Sequence, residues 1–192
     1  MDTKGVLIAG VGGQGILLAS DILCRVAMRA GLDVRKSEVH GMAQRGGCVT
    51  SHVRFGEKVY SPLSRKGDVD ILLSFEKMET LRYLDYLRDE ESIVIMSTEE
   101  FCPPAVNLGD AAYPKDVLET IRRRFQKVRA VEAVTLALQA GNVRAVNTVL
   151  LGALSAFLPM PAAAWKKVLR ETFPPKILAH NLEAFRLGRV AS

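Results

Sequence analysis

The sequence predicts a three-layer α/β fold with a mixed β-sheet and a helical C-terminal third. Up to residue 131, short apolar segments typical of buried strands alternate with segments of helical periodicity. From residue 132 onward, only helix-like segments follow. A chain of 192 residues is also close to the ordinary size of one domain. We therefore expect a single domain over 1–192, with the sheet in 1–131 and a helical extension in 132–192.

A cluster of glycines separates the first predicted strand from the first predicted helix. Gly5–Ala9 is a short apolar run, and Ile16–Ala30 carries apolar residues at helical spacing. Between them, Gly10–Gly15 satisfies G-x-G-x-x-G, a motif typical of Rossmann-like folds. Such glycines let a phosphate approach backbone N–H groups at a helix N-terminus. The candidate ligand-binding residues here are Gly10, Gly12, Gly13, Gln14 and Gly15.

The next segments predict a hairpin inserted into the sheet. Asp33–Ser37 is expected to be a short strand, and Val39–Gly47 an irregular loop. Cys48–Phe55 then alternates in polarity, as a half-buried strand does. We expect Gly56–Lys58 to turn the chain into a further strand at Val59 and Tyr60. This hairpin would make the sheet mixed.

The rest of the chain continues the alternation and ends in helices. Ile71–Phe75 and Ile93–Met96 are apolar almost throughout, as strands of parallel sheets are. The segment that carries Leu81, Leu84 and Leu87 predicts a helix between them, and Cys102–Pro104 predicts a rigid loop. The other predicted elements are a helix over Lys115–Phe125, a strand over Val128–Val131, and helices over Ala133–Gln139, Val143–Phe157, Ala162–Thr172 and Lys176–Phe185.

Composition and charge limit the class of protein. The net charge is +5 and the isoelectric point is near 9.2, but the basic residues are dispersed. The one dense patch, residues 122–129, lies at a predicted helix end, where cations stabilise the helix dipole. We therefore expect no nucleic-acid binding. No signal peptide is recognisable, and no apolar run reaches the ~20 residues of a membrane span. These features predict a cytoplasmic protein without membrane contact.

Cysteine and histidine usage gives no metal-binding pattern. Cys24, Cys48 and Cys102 are far apart and form no C-x-x-C motif, whereas an iron–sulfur cluster normally needs four thiolates. No two histidines have metal-ligand spacing, so we expect no metal site. His52, on a strand, is expected to be buried and hydrogen-bonded rather than catalytic. Asn142 and Asn147 flank a predicted helix start, where asparagine commonly caps.

A second concentration of polar groups occupies Ser37–Gly47. Within eleven residues it joins a carboxylate, an imidazole, an amide and a guanidinium between glycines. Arg45, beside two glycines, could hold a carboxylate or phosphate through its planar guanidinium and nearby backbone amides. Polar loops beyond strand ends are where α/β sheets place ligands. The candidate residues in this segment are Glu38, His40, Gln44, Arg45, Gly46 and Gly47.

The residues leave three interpretations of the glycine motif open. Glu38 follows the motif in the sequence at about the spacing that separates a ribose-binding acid from the glycines of a dinucleotide site. This spacing favours a stand-alone NAD(P)-binding oxidoreductase. The polar segment Arg35–Ser37 and the absence of a second crossover helix oppose that interpretation. A phosphate-bearing ligand other than NAD and a tight turn that binds no nucleotide are the other two.

Taken together, these segments resemble the gamma-type domain of the 2-oxoacid:ferredoxin oxidoreductase family. Within that family, the closer resemblance is to the beta subunits of indolepyruvate:ferredoxin oxidoreductases, and it covers nearly the whole chain. It is carried by Gly10–Gly15, Ser37–Gly47 and Ser51–Arg54, with further likeness at Tyr60–Leu63, Leu81–Leu87 and Phe173–Lys176.

The resemblance implies a subunit of an oxidoreductase that converts aryl 2-oxoacids such as indolepyruvate to acyl-CoA, releasing CO2 and passing electrons to ferredoxin. It implies that thiamine diphosphate and iron–sulfur clusters belong to a large alpha subunit, that coenzyme A is a co-substrate, and that this chain carries no cofactor. We expect the chain to be inactive alone and to form a homodimer when isolated. The resemblance places the glycine loop and the Glu38–Gly47 loop toward the shared active site or the coenzyme A channel, and it assigns no catalytic residue.

Overall fold

A six-stranded mixed sheet forms the centre of the molecule. The computed structural model describes residues 2–41 and 47–191, and the side chain of His40 is not described. Strands β1, β4, β5 and β6 are parallel, whereas β3 is antiparallel to both β1 and β2; the order across the sheet is β2-β3-β1-β4-β5-β6. The strands are β1 (Lys4–Val11), β2 (Asp33–His40), β3 (Cys48–Gly56), β4 (Ile71–Ser74), β5 (Ile93–Ser97) and β6 (Lys127–Val131).

Helices cover both faces of this sheet. In the part of the chain that the structure describes, no helix is both long and apolar enough to cross a bilayer. Two short 3-10 helices lie at Leu84–Tyr86 and Val143–Ala145. The α-helices are α1 (Ile16–Arg29), α2 (Lys77–Arg82), α3 (Pro104–Asn107), α4 (Val117–Arg124), α5 (Ala133–Gln139), α6 (Val146–Ser155), α7 (Ala162–Thr172) and α8 (Pro175–Val190).

The alternation of side chains along the strands divides the core into two parts. On one face, Ile8 and Leu73 pack with α1 and the C-terminal helices, and the fully buried Trp165 and Phe185 belong to this part. On the other face, Leu7, Leu72 and Val94 pack with residues of α2 and α4, such as Ile121. Helix, sheet and helix thus form three layers, and the predicted α/β fold with a mixed sheet is confirmed.

The predicted hairpin has a different partner strand. Val59 and Tyr60 form no strand: the Val59 N–H donates to the side chain of Asp33 at 2.9 Å, and Tyr60 is 85% exposed. That part of the prediction is wrong, because the Val59 N–H bonds to a side chain and not to the backbone of a neighbouring strand. The hairpin consists instead of β2 and β3, and β3 inserts between β2 and β1. β2 also continues to His40, three residues beyond its predicted end.

The C-terminal helices pack closely because glycines face each other's backbones. A Cβ on Gly152 of α6 would lie 2.2 Å from the carbonyl oxygen of Phe185, and one on Gly188 of α8 would lie 1.9 Å from that of Val149. Gly188 lies in the part of α8 beyond the predicted end at Phe185, and the helix runs on to Val190. The predicted rigid loop at Cys102–Pro104 leads directly into α3, which has proline at its first position.

Candidate functional site

The glycine loop, Gly10–Gly15, joins β1 to α1 and is closed by one of its own side chains. The Val11 N–H donates to Gln14 Oε1 at 2.7 Å, and Gln14 Nε2 donates to the carbonyl oxygen of Phe75 at 3.2 Å. Both polar atoms of the Gln14 amide are therefore engaged within the protein. Gln14, a predicted ligand-binding residue, holds the shape of the loop in this structure.

Three positions in this loop require glycine for identifiable reasons. Gly13 and Gly15 have φ values of 97° and 85°, in the left-handed region that side chains with a Cβ rarely adopt. At Gly10, a Cβ would lie 2.6 Å from Gln14 Oε1 and 2.8 Å from the Cβ of Phe75. Gly10 and Gly15 of the G-x-G-x-x-G motif thus have a structural reason to be glycine that is independent of any ligand, whereas a Cβ at Gly12 would make only ordinary contacts.

The base of the second polar segment lies against this loop. The Gly12 N–H donates to the carbonyl oxygen of Gly47 at 2.9 Å, and Cys48 is opposite Val11 in the sheet. Gly47 and the glycine loop are therefore brought together, although more than thirty residues separate them. The predicted site residues Gln44, Arg45 and Gly46 lie outside the described residues, as does the side chain of His40.

Glu38 lies away from the glycine loop. It is opposite Ser51 of β3, which is opposite Ile8 of β1, so a whole strand separates Glu38 from β1. Its Oε1 accepts from Lys36 Nζ at 2.6 Å. Burial alone would lower the pKa of Lys36, but its hydrogen bonds to Asp21 and Glu38 raise the pKa above the ordinary value. Glu38 therefore belongs to an ion-pair network that connects β2 with Asp21 of α1, and β3 lies between it and the strand that carries the glycine loop.

A cavity of about 440 Å³ opens beside the glycine loop. Its walls come from four parts of the chain: the loop itself, the segment after β5, α5 through Val134, and the 3-10 helix at Val143–Ala145 with the start of α6. We call it the loop cavity and define it by Gly13, Gly15, Glu99, Phe101, Arg144 and Asn147.

Sequence reasoning missed Arg144 and Asn147 as site residues. Asn142 does cap the 3-10 helix before α6, accepting from the Arg144 N–H at 3.0 Å, as predicted. Asn147 caps no helix, and its side chain lies against Gly15, where a Cβ would be 2.8 Å from Nδ2. The position of Asn147 near a helix start was the one signal in the sequence. No local pattern predicts its contact with Gly15, because the two residues are 132 positions apart.

His52 and Cys48 lie on the face of β3 that does not pack against α1. His52 is buried, its Nδ1 accepts from the Ser64 N–H at 3.4 Å, and its ring packs edge-on with that of Tyr86, so the prediction that it is buried and hydrogen-bonded is confirmed. Burial lowers the pKa of His52.

The Cys48 sulfur lies 2.8 Å from the Tyr83 hydroxyl oxygen, and burial raises the pKa of this thiol to about 11. Because a thiol with such a pKa stays protonated near neutral pH, Cys48 is a poor nucleophile there.

The described residues do not fit an iron–sulfur cluster or another metal centre. Cys24, Cys48 and Cys102 are all free and partly buried. Across 2–41 and 47–191, no group of three or more histidine, cysteine, aspartate or glutamate residues could hold a metal ion. Burial also raises the pKa of Cys24 to about 11. Among the described residues, the site offers backbone and side-chain groups for binding.

The basic patch around residues 122–129 is largely compensated by acidic neighbours. Arg123 pairs with Glu119 one helical turn away, Arg124 Nη1 lies 3.3 Å from Asp85, and Lys127 Nζ lies 2.8 Å from Glu91. These exposed pairs fit a solvated helix end.

Nearly the whole chain matches one protein family. Residues 5–191 match the family model of pyruvate ferredoxin/flavodoxin oxidoreductases. The chain belongs to this family. Its assignment to the pyruvate ferredoxin/flavodoxin oxidoreductase family confirms the resemblance seen in the glycine motif and the segments around Ser37–Gly47. The alternative of a stand-alone NAD(P)-binding oxidoreductase has no support from the comparisons.

Relatives within the pyruvate ferredoxin/flavodoxin oxidoreductase family match the chain over nearly its full length. The chain is 43% identical over 195 residues to indolepyruvate oxidoreductase subunit IorB of Pyrococcus horikoshii, covering 98% of this chain and 95% of the relative. It is 41% identical over 187 residues to the subunit of the same name from Archaeoglobus fulgidus, covering 95% and 92%. The predicted likeness to subunits of indolepyruvate oxidoreductases is confirmed.

Solved structures share the fold of this chain. The gamma subunit of a keto/oxoacid ferredoxin oxidoreductase from Geobacter sulfurreducens PCA superposes with a TM-score of 0.73 at 22% identity, over 98% of this chain and 97% of that one. A 2-oxoglutarate:ferredoxin oxidoreductase from Magnetococcus marinus, solved with 2-oxoglutarate, coenzyme A and succinyl-CoA bound, gives 0.75 at 24% identity. There the match covers 100% of this chain and 31% of the larger one.

Proposed function

We propose that this chain is the small subunit of a ferredoxin-dependent oxidoreductase that acts on aryl 2-oxoacids such as indolepyruvate. In that reaction the bond between the 2-oxo carbon and the carboxylate breaks, and CO2 leaves. The acyl carbon, oxidised by two electrons, forms a thioester with coenzyme A, and two ferredoxins each take one electron. The observation that carries the proposal is the identity of 41–43% to indolepyruvate oxidoreductase subunits over nearly the full length.

The chemistry belongs on a partner chain. The three cysteines of this chain are free, and its described residues form no metal-ligand group. We infer that a large alpha subunit holds the thiamine diphosphate and the iron–sulfur clusters, and that this chain completes the enzyme without a cofactor of its own. The free thiols suit a reducing compartment, which supports a cytoplasmic location.

The end of the sheet that carries the glycine loop is where we place the alpha subunit. Phe101 and Val143, which line the loop cavity, are 50% and 49% exposed, and Leu17 in the first turn of α1 is 37% exposed. Large apolar side chains grouped around a cavity are typical of protein interaction sites. With the glycine loop and Gly47 in the same region, this surface would lie next to the shared active site.

Co-expression with a candidate alpha subunit tests this function. The purified complex should reduce ferredoxin or a viologen dye when supplied with indolepyruvate and coenzyme A, and more efficiently than with pyruvate or 2-oxoglutarate. The small chain alone, purified without oxygen, should be colourless and inactive, and light scattering should show a dimer. A complex that prefers pyruvate would overturn the aryl specificity. Iron–sulfur absorption from the small chain alone would overturn the division between the subunits.

A further inference from the structure

The edge strand β2 directs half of its backbone hydrogen-bonding groups away from the sheet. It is the first strand in the sheet order and pairs with β3. Just after it, the Gly41 N–H donates to the carbonyl oxygen of Cys48 at 2.9 Å, so the odd-numbered residues of β2 direct their N–H and C=O groups toward β3. The even-numbered residues direct theirs outward; they are Val34, Lys36, Glu38 and His40. Such a row of groups is a template for another strand.

The two edges of the sheet differ in charge. At the other edge, β6 contains Lys127 and Arg129 and no acidic residue, which protects an edge because a second copy with the same charges is repelled. β2 has as many acidic as basic side chains and therefore no net charge from them: Asp33, Arg35, Lys36 and Glu38. This edge does not repel a copy of itself.

The sequence of β2 is complementary to itself in one antiparallel register. Residues that face each other in an antiparallel pair direct their backbone groups alike, so two copies of one strand pair about a central residue. With Ser37 on the two-fold axis, Lys36 of each copy lies opposite Glu38 of the other. Moving the axis by one residue, to Lys36 or to Glu38, places identical charges opposite each other, which is unfavourable.

Helix α1 would add a second contact between the copies. It packs against both β2 and β3, and Asp21 of α1 pairs with Lys36. Because neighbouring strands lie about 4.8 Å apart, an axis beside β2 places the two α1 helices about 10 Å apart, which is an ordinary distance for packed helices. Met28 lies two turns beyond Asp21 on the same side of α1 and is 56% exposed. The second copy would cover this apolar side chain.

We propose that two copies of this chain associate through β2, with Ser37 at the two-fold axis, so that their sheets form one continuous sheet. Each copy contributes the outward N–H and C=O groups of four residues, and the Lys36–Glu38 pairs fix the register. The interface lies along the side of the sheet, which leaves the glycine-loop end for the alpha subunit. The inference does not depend on the proposed reaction.

Cysteine cross-linking of the full chain tests the register. Residues opposite each other at the axis would have Cα atoms about 4.5 Å apart, within the range of a disulfide. Ser37→Cys should therefore form a covalent dimer under mild oxidation, seen by non-reducing electrophoresis. Arg35→Cys, on the same face of β2, would lie about 14 Å from its copy and should form none. The wild-type chain, with its three cysteines, gives the background.

Charge variants test the same interface by light scattering over a range of protein concentrations. Glu38→Lys places a lysine opposite Lys36 on both sides of the axis and should weaken dimerisation roughly tenfold or more. Adding Lys36→Glu restores opposite charges and should recover the dimer. Glu119→Lys makes the same change of charge at an exposed residue of α4 and should leave dimerisation unchanged.

Three results would overturn the proposal: a wild-type chain that is monomeric at every concentration, Ser37→Cys that cross-links no better than Arg35→Cys, or Glu38→Lys that dimerises like the wild type. Circular dichroism shows whether each charge variant is folded. If the Glu38→Lys variants do not fold, the comparison of Ser37→Cys with Arg35→Cys decides, because neither cysteine disturbs the ion pairs of Lys36. None of these results depends on turnover, so the proposed function is tested separately.

Discussion

The side chain of Gln14 reaches across to Phe75, donating from Nε2 to its carbonyl oxygen at 3.2 Å. Phe75 directly follows β4, which lies beside β1 in the sheet. The same amide accepts from the Val11 N–H at 2.7 Å. One side chain therefore holds the ends of two neighbouring parallel strands together, and it does so from within the glycine loop.

Replacing Gln14 should destabilise the fold even though the residue lies in a loop. In Gln14→Leu, the Val11 N–H and the Phe75 carbonyl lose their partners, which should lower the free energy of unfolding by about 1–3 kcal/mol. Gln14→Glu keeps the acceptor for the Val11 N–H but turns a carboxylate oxygen toward the Phe75 carbonyl oxygen, so it should also lower the free energy of unfolding. Urea unfolding followed by circular dichroism measures the difference. As a control, Gln126→Leu at an exposed position should change the free energy of unfolding by no more than about 0.5 kcal/mol. Equal values for Gln14→Leu and Gln126→Leu would show that the tie is unimportant.

Substitutions at Gly13 and Gly15 distinguish the effect of backbone strain on stability from that of a steric clash. Both have positive φ, but a Cβ at Gly13 meets nothing within 4 Å, whereas one at Gly15 lies 2.8 Å from Asn147 Nδ2. Gly13→Ala should cost about 1–2 kcal/mol from the left-handed backbone alone, and Gly15→Ala should cost more. Adding Asn147→Ala should reduce the cost of Gly15→Ala toward that of Gly13→Ala, because it removes Nδ2 and leaves only the Cβ of residue 147 at 3.3 Å. A double-mutant cycle on unfolding free energies checks this, and additive values would argue against the contact.

We expect Tyr113 to make the stability of the protein fall at high pH. Its hydroxyl donates to the carboxylate of Glu76, which is fully buried and also accepts from the Glu79 and Phe101 N–H groups. Burial and this hydrogen bond raise the pKa of Tyr113 above its ordinary value. The folded state then holds a proton that the unfolded chain releases above about pH 10, so stability is full below that pH and declines above it.

The variant Tyr113→Phe removes this contribution. It should be less stable than the wild type at pH 7 and should lose less stability between pH 9 and pH 11 as measured by thermal unfolding. Tyr60→Phe, at a tyrosine that is 85% exposed, provides the matched control and should follow the wild-type profile. Parallel profiles for Tyr113→Phe and the wild type would mean that another group causes the decline.

Arg45 remains the side chain of the second polar segment that we expect to hold an anion. Arg45→Ala should lower turnover of the assembled complex by roughly ten- to a hundredfold, from the loss of about 1.5–3 kcal/mol of charge-assisted hydrogen bonding. Arg45→Lys should recover only part of this, because an ammonium lacks the planar fork of a guanidinium.

Steady-state dye reduction with 2-oxoacid and coenzyme A varied separately gives the measurement for Arg45. A rise in the apparent constant for one of them would identify the ligand that Arg45 holds. Unchanged kinetics in a folded, assembled Arg45→Ala complex would show that the segment has only a structural role. Stability should change by no more than about 0.5 kcal/mol, as for an ordinary surface residue.

Local pattern was enough to predict most of the elements. The helices over Ala133–Gln139 and Ala162–Thr172 have the predicted bounds, and the apolar runs at Ile71 and Ile93 are neighbouring parallel strands. These features depend on periodicity and on residues close in sequence, such as the glycines before α1. The likeness to the family also lay in short segments, so it too was available without a structure.

Strand order and the composition of the site were decided by the tertiary structure. Nothing in the alternation of β3 says whether it pairs with β1, with β2 or with Val59 and Tyr60, because a strand presents the same backbone groups to any partner. The insertion of β3 beside β1 is what removes Glu38 from the glycine loop and brings Gly47 to it. Likewise, the local sequence identifies Asn147 only as a residue near a helix start. The packing of α6 against α1 is what brings its side-chain amide against Gly15. Sequence periodicity specifies which face of an element is buried, but the neighbour that buries it is chosen by the packing of the whole chain.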